Sequence, residues 1–217
     1  MTCSNQHAAA FLLAQNLVDT LPHGLLTLFN PWKDICALDE PWNSPDEKLN
    51  RLAAHLNCNP EYIFCGEAPG YQGCRHSGIA FTSERQLLAG SIPRIPKIEQ
   101  RLTNTRLSFA EPSATVVWRN LHLHGIAEKT LLWNAVQLHP HEGDPNSNRK
   151  PTAAEVAMGA PALRILTDYF PNARLVAIGN TAVELLRIMN ISPATTVRHP
   201  SFGGATEFAN GIMKLVK

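Results

Sequence analysis

Tyr62-Ile63-Phe64-Cys65-Gly66-Glu67-Ala68-Pro69-Gly70 opens on four apolar residues and breaks at once into glycine and proline. That pattern marks a short strand buried on both faces and ending in a sharp turn. Two further runs read the same way, Leu131-Leu132-Trp133-Asn134-Ala135-Val136 and Leu175-Val176-Ala177-Ile178 before Gly179, with a weaker fourth at Thr195-Thr196-Val197. Helical patterns lie between them: Pro112 to Leu123, Thr152 with its capping box (Glu155) to about Tyr169, and Thr181 to Met189 capped by Asn180. Strands that alternate with helices pair in parallel, so the chain is expected to form a layered α/β domain.

Upstream, Phe11, Leu12, Leu17, Val18 and Leu21 suit one face of a helix ending before Pro22, and Ser44-Pro45-Asp46-Glu47 opens a second helix. Residues 91–110 read as an irregular insertion. The 217 residues are expected to make one domain, with a helical N-terminal segment to about residue 60. A chain of this length buries roughly 70% of its unfolded surface.

Nineteen basic and eighteen acidic residues leave a net charge of +1, so no global field advertises nucleic acid or membrane. Residues 1–60 carry three basic and six acidic residues, which leaves the remainder at +4 and permits a basic face there. Five cysteines, none spaced C-x-x-C, suggest neither a disulfide framework nor a metal knuckle and fit a reducing cytoplasm. The seven-residue apolar run from Ala8 to Ala14 has no Lys or Arg before it and does not read as a signal peptide.

In an open parallel sheet the ligand sits beyond the carboxyl ends of the strands, so the loops starting at Gly66, Gln137, Gly179 and Arg198 are where chemistry is expected. The first holds Glu67 among Gly66, Gly70, Gly73 and Gly78, without the spacing of a phosphate loop or a dinucleotide fingerprint. Asn134 lies in an apolar strand, where its amide needs partners; it reads either as a ligand-binding group or as a structural bridge between loops. His139 with His141, and His122 with His124, look like metal pairs but lack a third ligand at recognisable spacing. The last loop, Arg198-His199-Pro200-Ser201-Phe202-Gly203-Gly204, combines a stiffened histidine with glycines that admit a close partner. No serine or cysteine shows a readable catalytic triad.

Taken in order, three sets of residues resemble the uracil-DNA glycosylase superfamily over residues 61 to about 204: Gly66-Glu67-Ala68-Pro69-Gly70, Asn134 followed by Asn148-Arg149-Lys150-Pro151, and His199-Pro200-Ser201. The first two sets look like the iron–sulfur branch, yet its cluster cysteines are missing, with Leu138 and Gly159 at two of their places, so no cofactor is expected. The glycine spacing from Gly66 to Phe81 instead looks like the single-strand-selective monofunctional branch, which has Asn where this chain has Ala68. The chain thus resembles a cluster-free relative lying between the two.

The resemblance implies a three-layer α/β/α sandwich around a four-stranded, mainly parallel sheet, acting on uracil in DNA as a monomer. It implies that Phe81 stacks on a flipped base, that Asn134 reads its O4 and N3–H, and that His199 donates to O2 of the departing base. Glu67 is implied to orient water, with Gly66, Ala68, Pro69, Gly70, Tyr71 and Gly73 shaping the pocket. Ser201 and the backbone amides near Gly203 and Gly204 are candidates to grip the DNA backbone, and Arg198, Arg149, Lys150 and Arg75 are candidate phosphate contacts, each equally readable as solvated surface charge. Phe202 reads as a wedge for the vacated stack or as a side chain packed under its own loop. Gly73, or Cys74 if the loop is one residue out of step, stands where the iron–sulfur branch carries a Glu against the pyrimidine C5 position, which implies an open C5 edge, and release of polar C5-substituted uracils such as 5-hydroxymethyluracil beside uracil, unless Tyr71 swings in. A non-catalytic lesion-binding module is the alternative function; a hydrolase using the paired histidines is a third.

Overall fold

The computed structural model describes residues 3–217. Helix α1 (Cys3–Asp19) packs against α2 (Pro45–Leu56), whose first turn is closed by Ser44 Oγ accepting the Glu47 N–H at 3.2 Å. Between them lies β1 (Leu28–Phe29). Then come β2 (Tyr62–Gly66), the single turns α3 (Cys74–Ser77) and α4 (Glu84–Leu88), α5 (Pro112–Leu123), β3 (Thr130–Asn134) and β4 (His139–Pro140). The chain closes with α6 (Ala153–Met158), α7 (Ala160–Tyr169), β5 (Arg174–Ile178), α8 (Gly179–Ile188), β6 (Thr195–Val197) and α9 (Ala205–Leu215).

Four strands form a wholly parallel sheet in the order β3-β2-β5-β6, with Gly66 in register with Asn134 at the carboxyl edge. Side chains alternate across it. Ile63, Cys65, Leu131, Trp133 and Ala177 enter one core with α1, α2, α7 and α8, while Phe64, Leu132, Val176 and Ile178 enter the other with α5 and α9. This is the expected three-layer α/β/α sandwich. Because α5 covers one face on the way from β2 to β3 and α8 the other on the way from β5 to β6, the connections diverge between β2 and β5. A ligand crevice forms at such a switch point.

Three local expectations are corrected. The helix expected from 152 to 169 breaks at Gly159, where a Cβ would collide with the Ala135 carbonyl oxygen. Asn180 does not cap α8: that helix already includes Gly179, and Asn180 is exposed in its first turn. Strand β3 ends at Asn134 rather than Val136, and β4 pairs antiparallel with β1 in a small second ribbon that the sequence did not suggest. Cys36, Cys58, Cys65 and Cys74 are free thiols. Among the described residues no helix is long and apolar enough to cross a membrane.

The insertion at 91–110 has no regular structure but is held by one buried carboxylate. Glu84 accepts the backbone N–H groups of Leu102, Thr103 and Phe109 at 2.7 to 3.1 Å, together with Arg101 Nε at 2.8 Å. Burial pulls its pKa up, yet these donors outweigh that and hold it below the ordinary value.

The open edge of β3 is closed by His55, whose Nε2 accepts the Leu132 N–H at 3.0 Å, and by Arg94, which reaches the Thr130 carbonyl. Burial, reinforced by Arg94, pushes the His55 pKa well below 6.5, and burial beside Arg75 pushes that of His139 down to about 3. The unfolded chain therefore takes up protons near pH 6.5 that these folded residues refuse, and stability must fall as pH drops from there toward about 3. The loss is up to about 1.4 kcal/mol per pH unit for each such histidine. Urea melts at pH 7.5 and 5 check this: the midpoint should be clearly lower at pH 5, and equal midpoints would contradict it.

Candidate active site

The loop after β2 folds back so that Phe81, fifteen residues on, lies against Gly66: a Cβ at Gly66 would strike the Phe81 ring and come within 3.1 Å of Asn134 Oδ1. Phe81 adopts a left-handed backbone (φ 51°), rare for an aromatic residue and tolerated only where the surroundings hold it. They do: Ser77 Oγ donates to the Thr82 carbonyl at 2.7 Å, and Trp118 Nε1 donates to Thr82 Oγ1 at 3.1 Å. The ring centroid of Phe81 stands 5.7 Å from that of His199, which arrives from the loop after β6.

Asn134 closes the third side. It is 4% exposed, and its amide makes no hydrogen bond to a described residue. Its main chain is pinned instead, with Gln137 Nε2 donating to the carbonyls of Asn134 and Ala135 at 2.7 and 3.2 Å. Gly66, Phe81, Asn134 and His199 thus converge at the switch point.

The protonation of His199 follows from its partners. The Ser201 backbone N–H points at Nδ1 at 3.2 Å, and the Ser201 hydroxyl lies 2.7 Å from the same atom. A backbone N–H can only donate, so Nδ1 is the acceptor and the ring proton sits on Nε2. Burial lowers the His199 pKa, opposed by the nearby Glu67 charge, so at neutral pH the ring is an uncharged donor. Ser201, expected as a contact to the DNA backbone, also holds His199, through both its N–H and its hydroxyl.

Glu67 follows Gly66 at the strand end, and its Oε2 accepts from Thr181 Oγ1 at 2.7 Å. Thr181, on α8, carries no sequence signal for this role. Ala68 packs toward the core that holds α1 and α8, and Pro69 is buried beside it, so the one acidic side chain in this turn is that of Glu67. Burial pushes the Cys65 thiol up to about 12, which leaves it inert.

Two expected DNA contacts are turned inward. Arg75 is 4% exposed, stacks over Phe29 and donates to the Pro145 carbonyl and to His139. Arg149 forks onto both oxygens of Glu155, at 2.6 and 2.8 Å. Lys150, Arg198 and Gly203 are exposed. Phe202 is 97% exposed with φ 50°, so it does not pack under its own loop. His139, with Arg75 on Nδ1 and the Ser147 carbonyl on Nε2, has both nitrogens engaged, and the histidine-pair metal reading has no support there.

Tyr71 packs edge-on against Phe109, and the space beside Gly73 is filled by Glu111, at the N-cap of α5, which the sequence did not single out.

Residues 53–214 match the profile of the Uracil DNA glycosylase superfamily. The chain belongs to that superfamily. Its fold is also that of a crystal structure of wild-type Pedobacter heparinus SMUG2, at TM-score 0.61 and 14% identity, covering 94% of this chain and 95% of that one. No curated protein matches the chain. This glycosylase-family site is braced from its N-terminal side by a buried ion network. Lys48 Nζ donates to Asp39 Oδ2 at 2.5 Å and His76 Nδ1 lies 2.6 Å from Asp39 Oδ1, while Arg51 Nε donates to the Ser77 carbonyl at 2.9 Å. Burial raises the Asp39 pKa, but His76 and Lys48 outweigh it and hold the carboxyl below its ordinary value. Cys36, Asp39 and His76 come close enough to chelate an ion, yet Lys48 already sits on Asp39 and Arg75 on Cys36 Sγ at 3.6 Å. Two cations in that space oppose a third.

Proposed function

We propose that this superfamily member hydrolyses the N-glycosidic bond of uracil in DNA and leaves an abasic site without nicking the strand. The observation that carries the reading is the convergence of Phe81, an otherwise unbonded Asn134 amide and a neutral His199 whose Nε2–H is free to donate. A base flipped out of the stack would lie on Phe81. The Asn134 NH2 would donate to O4 and its carbonyl would accept from N3–H, a pattern that cytosine reverses. As the glycosidic bond lengthens, negative charge gathers on the base and positive charge on the sugar, and His199 Nε2–H would meet the former at O2. Glu67, held by Thr181, would orient the water that attacks the sugar. A lyase step would need a free amine for a Schiff base, and the motif loops hold no lysine but the exposed Lys150, while the nearby Lys48 is committed to Asp39.

Incubation with uracil-containing single-stranded DNA in chelator tests this: strand breaks should appear only after alkali. Tight lesion binding with no base release would favour the non-catalytic alternative instead, and metal-dependent release would sink the mechanism.

The exposed, backbone-strained Phe202 supports a wedge that fills the stack left by the flipped base, since unstacking a step costs a few kcal/mol. Phe202→Ala should therefore slow release from duplex DNA by on the order of tenfold or more while changing single-stranded substrate much less. Equal effects on both substrates would remove the wedge role.

A further inference from the structure

We infer that one buried water, bound by the indole N–H of Trp133, fixes the amide of Asn134 in the orientation that reads uracil; the water site stands on geometry alone, and its effect on base choice rests on the glycosylase reading above. The chain has four tryptophans. Three of them donate their indole N–H within the protein: Trp32 to the Gly78 carbonyl at 3.2 Å, Trp42 to the Arg101 carbonyl at 2.8 Å and Trp118 to Thr82 Oγ1 at 3.1 Å. Trp133 does not. Its Nε1 is buried with no partner among the described residues, although a buried indole N–H ordinarily keeps one. The ring has little freedom to seek another, because β3 carries its backbone and Trp32 stacks on it, with centroids 6.3 Å apart and planes 14° from parallel.

Beside the ring lies a cavity of about 10 Å³, bounded by Trp133, Asn134 and Gln137 and by the apolar Trp32, Leu52 and Ala80. That is the room one water needs, and a buried water is held where roughly two to four polar groups meet it. The polar groups here differ in kind. Trp133 can only donate, so the water meets it with a lone pair and turns its own hydrogens toward the other polar lining groups. Gln137 commits its NH2 to the carbonyls of Asn134 and Ala135, which leaves its Oε1 as an acceptor. Asn134, whose amide no described residue holds, offers Oδ1. An amide without partners can turn over, exchanging carbonyl for NH2 and so the uracil pattern for the cytosine one. A hydrogen delivered to Oδ1 from the Trp133 side opposes that rotation, and the second lone pair of Oδ1 remains for N3–H of the base. Trp133 is thus a positioning residue that acts through Asn134.

Two readouts test this. In wild-type protein with isotope-labelled tryptophan, the Trp133 indole N–H should show nuclear cross-relaxation with water, of the sign given by a water that tumbles with the protein. No such signal overturns the water site. The second readout is binding of single-stranded oligonucleotides that carry 2′-fluoro analogues of deoxyuridine or deoxycytidine, which resist hydrolysis. Trp133→Phe keeps an aromatic ring and removes the donor, and Leu52→Phe extends into the cavity from α2; each should lower the uracil-over-cytosine binding ratio about tenfold, the scale of one hydrogen bond. Trp42→Phe, at an indole bonded elsewhere, should keep the wild-type ratio. Two independent variants cover the case in which one fails to fold. A bound water with the ratio unmoved in both overturns the positioning role. Wild-type protein that releases no uracil, while the water is present and the ratio falls in the variants, would overturn the catalytic reading and leave this inference supported.

Discussion

His199→Ala should slow single-turnover release of uracil by roughly 10²–10³-fold, the scale for removing one donor aimed at a developing anion. Binding of lesion-containing DNA should change far less, because a hydrogen bond to O2 strengthens mainly as charge accumulates there. For the proposed reaction the ring is already set as a donor in the free protein. Ser201 directs its N–H to Nδ1 and so places the proton on Nε2, while burial keeps the imidazole uncharged at neutral pH. An uncharged donor aimed in advance needs no reorganisation as the bond breaks. Ser201→Ala should act in the same direction with a smaller loss, since its backbone N–H remains. Wild-type rates in His199→Ala would mean that charge on the base is met by some other group and would withdraw the pocket assignment.

The second large effect lies away from the pocket. Lys48→Met should cost about 3–5 kcal/mol of stability, the usual result of stripping one partner from a buried ion pair. Lys48 is fully buried, and Asp39 would lose the cation on Oδ2 while keeping His76 on Oδ1. With a urea slope of about 1–3 kcal/mol per molar, the unfolding midpoint should drop by on the order of 1 M or more. The network also locates the pocket. Lys48 backs onto Gly78, and Arg51 grips the Ser77 carbonyl, so both steady the turn that ends in the strained Phe81. Base release should therefore weaken alongside stability. A midpoint within error of wild type would show that water compensates Asp39 when Lys48 is gone.

The sequence alone determined what depends on short-range pattern. Apolar runs of four residues stopped by Gly66 and Gly179 are too short for helices and fit buried strands that end sharply, and their alternation with capped helices favours parallel pairing. Chemistry in such a sheet gathers at the carboxyl edge, so Glu67, Asn134 and His199 were legible as strand-end residues, and the order of their motifs sufficed to suggest the family.

What a side chain turns toward was decided only by tertiary structure, because a partner distant in sequence leaves no periodic trace. Arg149 and Arg75 read from the sequence as phosphate contacts or surface charge, but Glu155 holds the first, and the second lies over Phe29 and beside His139. The insertion at 91–110 looked shapeless because its organiser, Glu84, lies before it in the chain and acts through backbone donors that any residue possesses. The filling of the space beside Gly73 was invisible for the same reason. Gly73 by itself implies open space, and only packing brings Glu111, thirty-eight positions later, into the volume that the glycine vacates.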